Sequence, residues 1–323
     1  MTVISKPSSV QTAITYRCNL KCLHCDIWKS PATEELNLTQ WLKILKKMRD
    51  WLGPFWFNIS GGEPFLRKDL LDIITYCNIN NIRVVVTTNG TLLNPESIKI
   101  LSSMKNLTVN VSVDGVNADT HDYLRNKKGV YDKAMNTLLE FRKKNRSCYI
   151  TMSTILMGYN TEEVIPLIKK AIVDKLADDI TFQALDYNFH AAYNDRWFEK
   201  NRFWVSEEKR KVFNDTIDSI LRIKEAGAPV CNTKEQLLLI KRYFNDPDKS
   251  IDLECNTGNS NFIINPNGDV LLCWNMKPIG NILKDNPADI WSSSAADGRR
   301  VQISKCKRTC RILNCNFSEV SAI

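Results

Sequence analysis

The sequence predicts an α/β fold: a partial, TIM-like (β/α)6 barrel on a parallel sheet, then a helical linker and a small cysteine-rich unit of one β-hairpin and a helix. Three observations predict it. Short β-branched runs alternate with amphipathic helical stretches over the first 190 residues, the pattern of βαβ units. The pattern then changes to two long helices without strands, over residues 191–250. Residues 251–323 hold five of the eleven cysteines around an Asn-Pro-Asn-Gly-Asp turn.

The elements follow in order. Ala13 to Tyr16 reads as a strand leading into a cysteine loop, and Thr39 to Trp51 as a helix with Trp41, Leu42, Ile44, Leu45 and Met48 on its apolar face. Strand Phe55 to Ser60 and helix Leu70 to Asn78 form the next unit, then strand Arg83 to Thr88 and helix Ser97 to Met104. Leu107 to Val113 is a strand closed by Asp114-Gly115, and Tyr131 to Lys144 a helix. Tyr149 to Leu156, Thr161 to Lys170 and Asp179 to Leu185 complete six strands and their crossovers. An aromatic-rich stretch (Tyr187, Phe189, His190, Tyr193, Trp197, Phe198, Phe203, Trp204) precedes helices Ser206 to Ala226 and Thr233 to Tyr243. Aromatics at this density most often build core, and they could also shape a pocket beyond the sixth strand.

Composition excludes several classes. At 43% apolar over 323 residues the chain can bury a sizeable core. There is no run of 18 apolar residues, hence no expected membrane span. The first ten residues lack a basic-then-apolar signal pattern, so the chain is expected in the cytosol, where cysteines serve as metal ligands or core residues more often than disulfides. Cys77, Cys148 and Cys231 stand alone and read as core. The charge of +8 is scattered over helix faces, at Lys43, Lys46, Lys47, Arg142, Lys143 and Lys144 for example, with no nucleic-acid-binding module.

Chemistry is concentrated in Cys18, Cys22 and Cys25, spaced Cys-x3-Cys-x2-Cys. Three thiolates without a fourth nearby can hold three irons of a cubic four-iron cluster and leave one iron open to a small molecule. Ferredoxin runs instead supply a full cysteine set to each cluster. A zinc site remains an alternative, and it needs a distant fourth ligand. Downstream, Gly61-Gly62-Glu63-Pro64 follows the second strand, where a glycine pair lets backbone approach a ligand closely.

The cysteine triplet together with the glycine loop resembles the radical S-adenosylmethionine (SAM) superfamily. The resemblance implies that Cys18, Cys22 and Cys25 ligate a 4Fe-4S cluster whose open iron is chelated by SAM. It implies that Gly61, Gly62 and Glu63 face the methionine moiety and that His24 packs near the adenine. Ser112-x-Asp114-Gly115, followed by His121-Asp122 and Arg125, resembles a stretch of the same superfamily; Ser112 and Asp114 become candidates for the ribose, Ser153 and Arg125 for the carboxylate. As plain strand-end caps and turn residues they have an equally ordinary reading.

The C-terminal cysteines form the third signal. Cys255-x12-Gly-x4-Cys273, then Cys306, Cys310 and Cys315, resembles the SPASM or twitch extension that binds auxiliary iron-sulfur clusters. Five cysteines suffice for one auxiliary 4Fe-4S cluster with one to spare, and a zinc ribbon is the alternative.

By this resemblance, reductive cleavage of SAM gives a 5′-deoxyadenosyl radical that abstracts hydrogen from a substrate carbon. The auxiliary cluster accepts an electron or binds substrate, and an electron donor such as flavodoxin or ferredoxin is implied. Only about seventeen residues precede Cys18, where peptide-modifying relatives often carry a further domain, so a small metabolite or sugar is the first expectation and a peptide substrate the alternative. A zinc-binding, non-catalytic interaction protein and a cofactor sensor are the rival classes.

Overall fold

The computed structural model describes residues 5–187, 194, 196–247, 254–314 and 316. Six parallel strands lie side by side in chain order: β1 (Ser9–Thr15), β2 (Trp56–Gly61), β3 (Arg83–Thr88), β4 (Leu107–Ser112), β5 (Tyr149–Leu156) and β6 (Asp179–Ala184). Their crossovers carry α1 (Leu38–Leu52), α2 (Leu70–Ile79), α3 (Pro95–Ser102), α4 (Ala118–Arg125), α5 (Val130–Arg142) and α6 (Val164–Val173). Each crossover steps to the next strand in one direction, and such connections are right-handed, so the helices share one face of the sheet.

Side-chain alternation follows from that arrangement. Val84, Val86, Val109, Val111, Ile150 and Met152 are buried in the core. The alternate positions, among them Asn58, Ser60, Thr87, Asn110, Ser112, Ser153, Thr181 and Gln183, are half-buried and polar. A closed (β/α)8 barrel fills its interior with branched apolar layers. A polar, partly exposed row belongs instead to the wall of an open cavity.

The sheet does not stop at the sixth strand. β7 (Asn261–Ile264) pairs in parallel with the free edge of β1, β8 (Asp269–Leu271) pairs antiparallel with β7, and β9 (Gly280–Asn281) with β8, making nine strands ordered β6-β5-β4-β3-β2-β1-β7-β8-β9. The hairpin expected from its Asn-Gly-Asp turn thus continues the barrel sheet.

At the other edge, α7 (Arg210–Glu225) and α8 (Lys234–Asn245) cover β6. The chain between them runs beside β6: Ile180 N–H donates to Pro229 O at 2.7 Å and Cys231 N–H to Ile180 O at 2.8 Å. This corrects the reading of Cys231 as core. Cys77 and Cys148 are buried, whereas Cys231 is exposed because it sits on this outer edge segment.

After α9 (Thr257–Ser260), α10 (Pro287–Trp291) and α11 (Ser294–Ser304), the chain returns to β6. Asn314 donates to the Thr181 hydroxyl at 3.1 Å and accepts from Gln236 at 2.7 Å. The C-terminal segment is therefore anchored at both ends of the open barrel, on β1 through β7 and on β6 through Asn314. Among the described residues no helix is long and apolar enough to cross a membrane.

Other departures from the sequence reading are local. β1 begins at Ser9, because Ser9 to Thr12 pair on both sides, with Trp56 to Ile59 and with Asn261 to Ile264. Polar α4 was not expected; Asn117 caps it by accepting from Thr120 N–H at 3.1 Å. The stretch Ile290 to Ile303 holds a break, since Ser293 accepts from Ala296 N–H at 3.1 Å and starts a new helix. Within the aromatic-rich stretch, Phe203 is buried and Trp204 packs on Tyr243 and Phe244 at ring-centroid distances of 5.0 and 4.7 Å, as core. Phe189, His190 and Tyr193 lie outside the described residues.

Candidate functional site

The cysteine loop leaves β1 at the carboxyl ends of the strands. Leu20, Cys22 and Val130 form a small apolar cluster against which Cys18 and Cys25 pack, and Leu23 N–H donates to Leu124 O at 2.9 Å. The loop is thus sewn to the end of α4 and the start of α5. On its other side Asn19 donates to Thr91 at 2.8 Å and accepts from the Asn89 amide at 2.9 Å, which ties it to the end of β3.

Around the three thiols the surroundings suit thiolates bound to iron. Leu20 N–H points to Cys18 Sγ at 3.5 Å, and an Arg125 Nη lies 4.0 Å from Cys22 Sγ. Burial pushes the Cys18 thiol up to about 11, and burial likewise raises Cys22 and Cys25. Metal must displace those protons. A donor hydrogen bond and a cation beside the sulfurs, within an apolar collar, fit a negatively charged cluster.

The glycine loop adopts a form the sequence did not indicate. Gly61 has φ +119°, and a Cβ there would meet Thr15 O at 2.3 Å; a Cβ on Gly62 would meet Arg17 O at 2.1 Å. Gly62 and Glu63 donate their N–H groups to Thr15 O and Arg17 O at 2.8 and 2.9 Å. The close approach that demands glycine is to the chain entering the cysteine loop. Glu63 is fully buried and accepts from Thr88 Oγ1 at 2.8 Å, Asn89 N–H at 2.8 Å and Phe65 N–H at 3.1 Å. Burial raises its carboxyl above the ordinary range, against these donors.

The other predicted residues fall into two sets. Ser112 and Ser153 sit opposite each other at the ends of β4 and β5, half-buried in the polar row. Asp114, Arg125 and His24 are packed inside. Asp114 is wholly buried with Arg125 at 2.6 Å and His24 Nε2 at 3.8 Å from one oxygen, and it accepts from Ile155 N–H at 3.0 Å. His121 Nδ1 accepts from Asp114 N–H at 3.1 Å. Burial lowers His24 and His121 to about 4, so both are neutral, while the Arg125 cation holds Asp114 below its ordinary value against the effect of burial. Of these five, only the serines open onto the sheet's bare face.

The second site gathers Cys255, Cys273, Cys306 and Cys310 around one cavity, which Asn275 and Arg308 also line. Cys315 lies outside the described residues. Arg308 N–H points to Cys306 Sγ at 3.5 Å and the Asn275 amide to Cys310 Sγ at 3.8 Å. Burial pushes Cys273 up to about 11 and Cys310 well above the ordinary range; the cation of Arg308 pulls Cys273 the other way and that of Arg311 pulls Cys255. Sequence reasoning missed Asn275 and Asp186, which have no motif, and placed Tyr187 only in the aromatic stretch that could shape a pocket. Tyr187 donates to Asn275 Oδ1 and accepts from Arg308 at 3.2 Å. Asp186, just past β6, is desolvated to about 7.

Comparison with known proteins agrees with this geometry. A sequence model of the radical SAM superfamily matches residues 12–171, and one of the SPASM iron-sulfur cluster-binding domain matches residues 255–316. Among curated relatives, the antilisterial bacteriocin subtilosin biosynthesis protein AlbA of Bacillus subtilis is 27% identical over 87% of this chain and 58% of its own length. The AdoMet-dependent heme synthase of Methanosarcina barkeri is 32% identical over 49% of this chain and 45% of its own. The chain thus spans about half the length of both. Among solved structures, Streptococcus suis SuiB bound to precursor peptide SuiA superposes with a TM-score of 0.71 at 18% identity, over 91% of this chain and 66% of that one, a likeness of fold. The chain belongs to the radical SAM superfamily and carries a C-terminal SPASM iron-sulfur cluster-binding domain.

Proposed function

We propose that this chain is a peptide maturase, which modifies an unactivated carbon in a precursor peptide. When bound, the N-terminal cluster and SAM supply a carbon radical by reductive cleavage of the sulfonium bond. Everything else is the task of the chain. Cys18, Cys22 and Cys25 hold the cluster; the Gly61–Gly62 loop and Glu63 brace the loop that carries it; Ser112 and Ser153 present hydroxyls to the cofactor from the sheet's bare face. Asp114, Arg125 and His24 form the packed floor beneath. Cys255, Cys273, Cys306 and Cys310 hold one auxiliary 4Fe-4S cluster at the opening between β1 and β6. An external one-electron donor of the flavodoxin or ferredoxin kind serves the N-terminal cluster, in the cytosol.

The observation that carries the peptide reading is the similarity to the bacteriocin biosynthesis protein, which extends over 87% of this chain. The open polar wall supports it, since an extended substrate needs a cavity without a closed rim. The small-metabolite expectation rested on the short stretch before Cys18 and gives way to this similarity. The Fe-coproporphyrin III synthase of Methanosarcina barkeri, 26% identical over 86% of this chain, makes a tetrapyrrole the second reading; the peptide reading is preferred because the subtilosin biosynthesis protein and the sporulation killing factor maturation protein SkfB reach 87% and 93% of the chain.

The test uses anaerobically reconstituted enzyme, dithionite, SAM and the low-molecular-weight fraction of a lysate from the source cells grown in deuterated medium. Deuterium carried into 5′-deoxyadenosine reports hydrogen abstraction. Transfer that disappears after the fraction is digested with a broad protease supports a peptide; transfer that survives digestion overturns that substrate class. In the Cys22→Ala variant the transfer is expected to vanish while auxiliary iron stays bound.

A further inference from the structure

We infer that Arg308, Tyr187 and Asn275 form a one-way hydrogen-bond relay that raises the reduction potential of the auxiliary cluster and so fits it to accept an electron. The inference rests on the proposed reading of Cys310 as a cluster ligand. Its direction follows from donor inventories. Arg308 Nη1 lies 3.2 Å from the Tyr187 hydroxyl, and a guanidinium can only donate. The Tyr187 oxygen therefore accepts there and spends its own O–H on the other neighbour, Asn275 Oδ1. With its carbonyl fixed toward Tyr187, Asn275 has only its NH2 to turn on Cys310 Sγ, 3.8 Å away. Every link donates toward sulfur.

The physical effect has a definite sign. Electron density on cluster sulfurs grows when the cluster is reduced, so a donor aimed at a ligating sulfur favours the reduced form and raises the potential. Bonds in a chain polarise one another, and the chain here begins at a full positive charge. Arg308 also stacks its guanidinium over the Tyr187 ring at 5.7 Å, and its own N–H faces Cys306 Sγ at 3.5 Å. These three side chains are positioning residues. Tyr187 stands three residues past β6, at the barrel mouth, so the relay joins the wall of the substrate cavity to the auxiliary site.

The experiment is a redox titration of the holoenzyme followed by electron paramagnetic resonance, on wild type, Tyr187→Phe and Asn275→Leu. The expected result is a lower auxiliary midpoint in both variants, with wild-type iron content and an unmoved N-terminal cluster. Tyr187→Phe is decisive, because it leaves the Asn275 and Arg308 contacts to sulfur in place and removes the hydroxyl that joins Arg308 to Asn275. Unchanged midpoints in both variants, or a shift in Asn275→Leu alone, overturn the relay. If Asn275→Leu sheds iron, Tyr187→Phe decides by itself. A wild-type chain whose C-terminal cysteines hold zinc or no cluster overturns the ligand reading, a result seen in the metal analysis before any titration.

Discussion

Glu63 is an acceptor for three donors, from Thr88, Asn89 and Phe65. Glutamine offers one oxygen and would aim an amide N–H at one of those donors. Glu63→Gln is therefore expected to cost about 1–3 kcal/mol of stability, read from denaturant unfolding, with apo protein suited to the measurement. No loss would mean that Glu63 is not the acceptor hub described. His121 supports a pH prediction. Its folded value is near 4 against 6.5 when free, because burial first and Arg125 second oppose its proton. Between those values the unfolded chain binds the proton and the folded chain does not, so stability falls as pH drops from about 6.5 toward 4, by about 2 kcal/mol at pH 5. In His121→Gln that acid slope should be shallower; an unchanged slope removes His121 as its source. At this scale the two cysteine groups stood out by their spacing, and the structure brings the members of each group together. The partners of Glu63 were not, since Thr88 lies 25 residues away and arrives only through the pairing of β2 with β3.

Among elements, the strand-to-loop joints decide the site. Gly62 and Gly129 are both glycines at joints between elements, and a side chain would meet different obstacles at each. An added Cβ at Gly62 meets backbone at 2.1 Å, whereas at Gly129 nothing lies within 4 Å and only φ +77° opposes a side chain. Gly129→Ala should cost about 1 kcal/mol and keep its iron. Gly62→Ala should displace the chain before Cys18 and lose the N-terminal cluster while the auxiliary iron remains, as iron analysis of the two variants would show. Equal retention of iron in both would sink this account. The strands and most crossover helices could be read from β-branched runs and apolar periodicity. Polar α4 could not, and it is α4 whose Leu124 carbonyl and Arg125 side chain reach the cysteine loop.

For the whole molecule, the feature hardest to foresee is the parallel pairing of β1 with β7, Thr12 with Ile264, across 252 residues. Local patterns locate a hairpin and say nothing of which edge receives it. A chain ending at residue 249 should leave the β1 edge bare and self-associate, visible as aggregate in size-exclusion chromatography. A monomeric, soluble truncation would show the edge protected by other means.

That pairing also imposes an order on biosynthesis. Among the six parallel strands β1 is made first, yet it gains its second neighbour only with β7, after the other five are complete. At 5–20 residues per second, its outer edge waits about 12–50 s for β7. The barrel can close six strands in that interval, but the auxiliary cavity has no wall until the tail returns to β6. An order of assembly follows: the residues packed around the N-terminal triplet, as far as Val130, are all made before the chain that lines the C-terminal cysteine cavity.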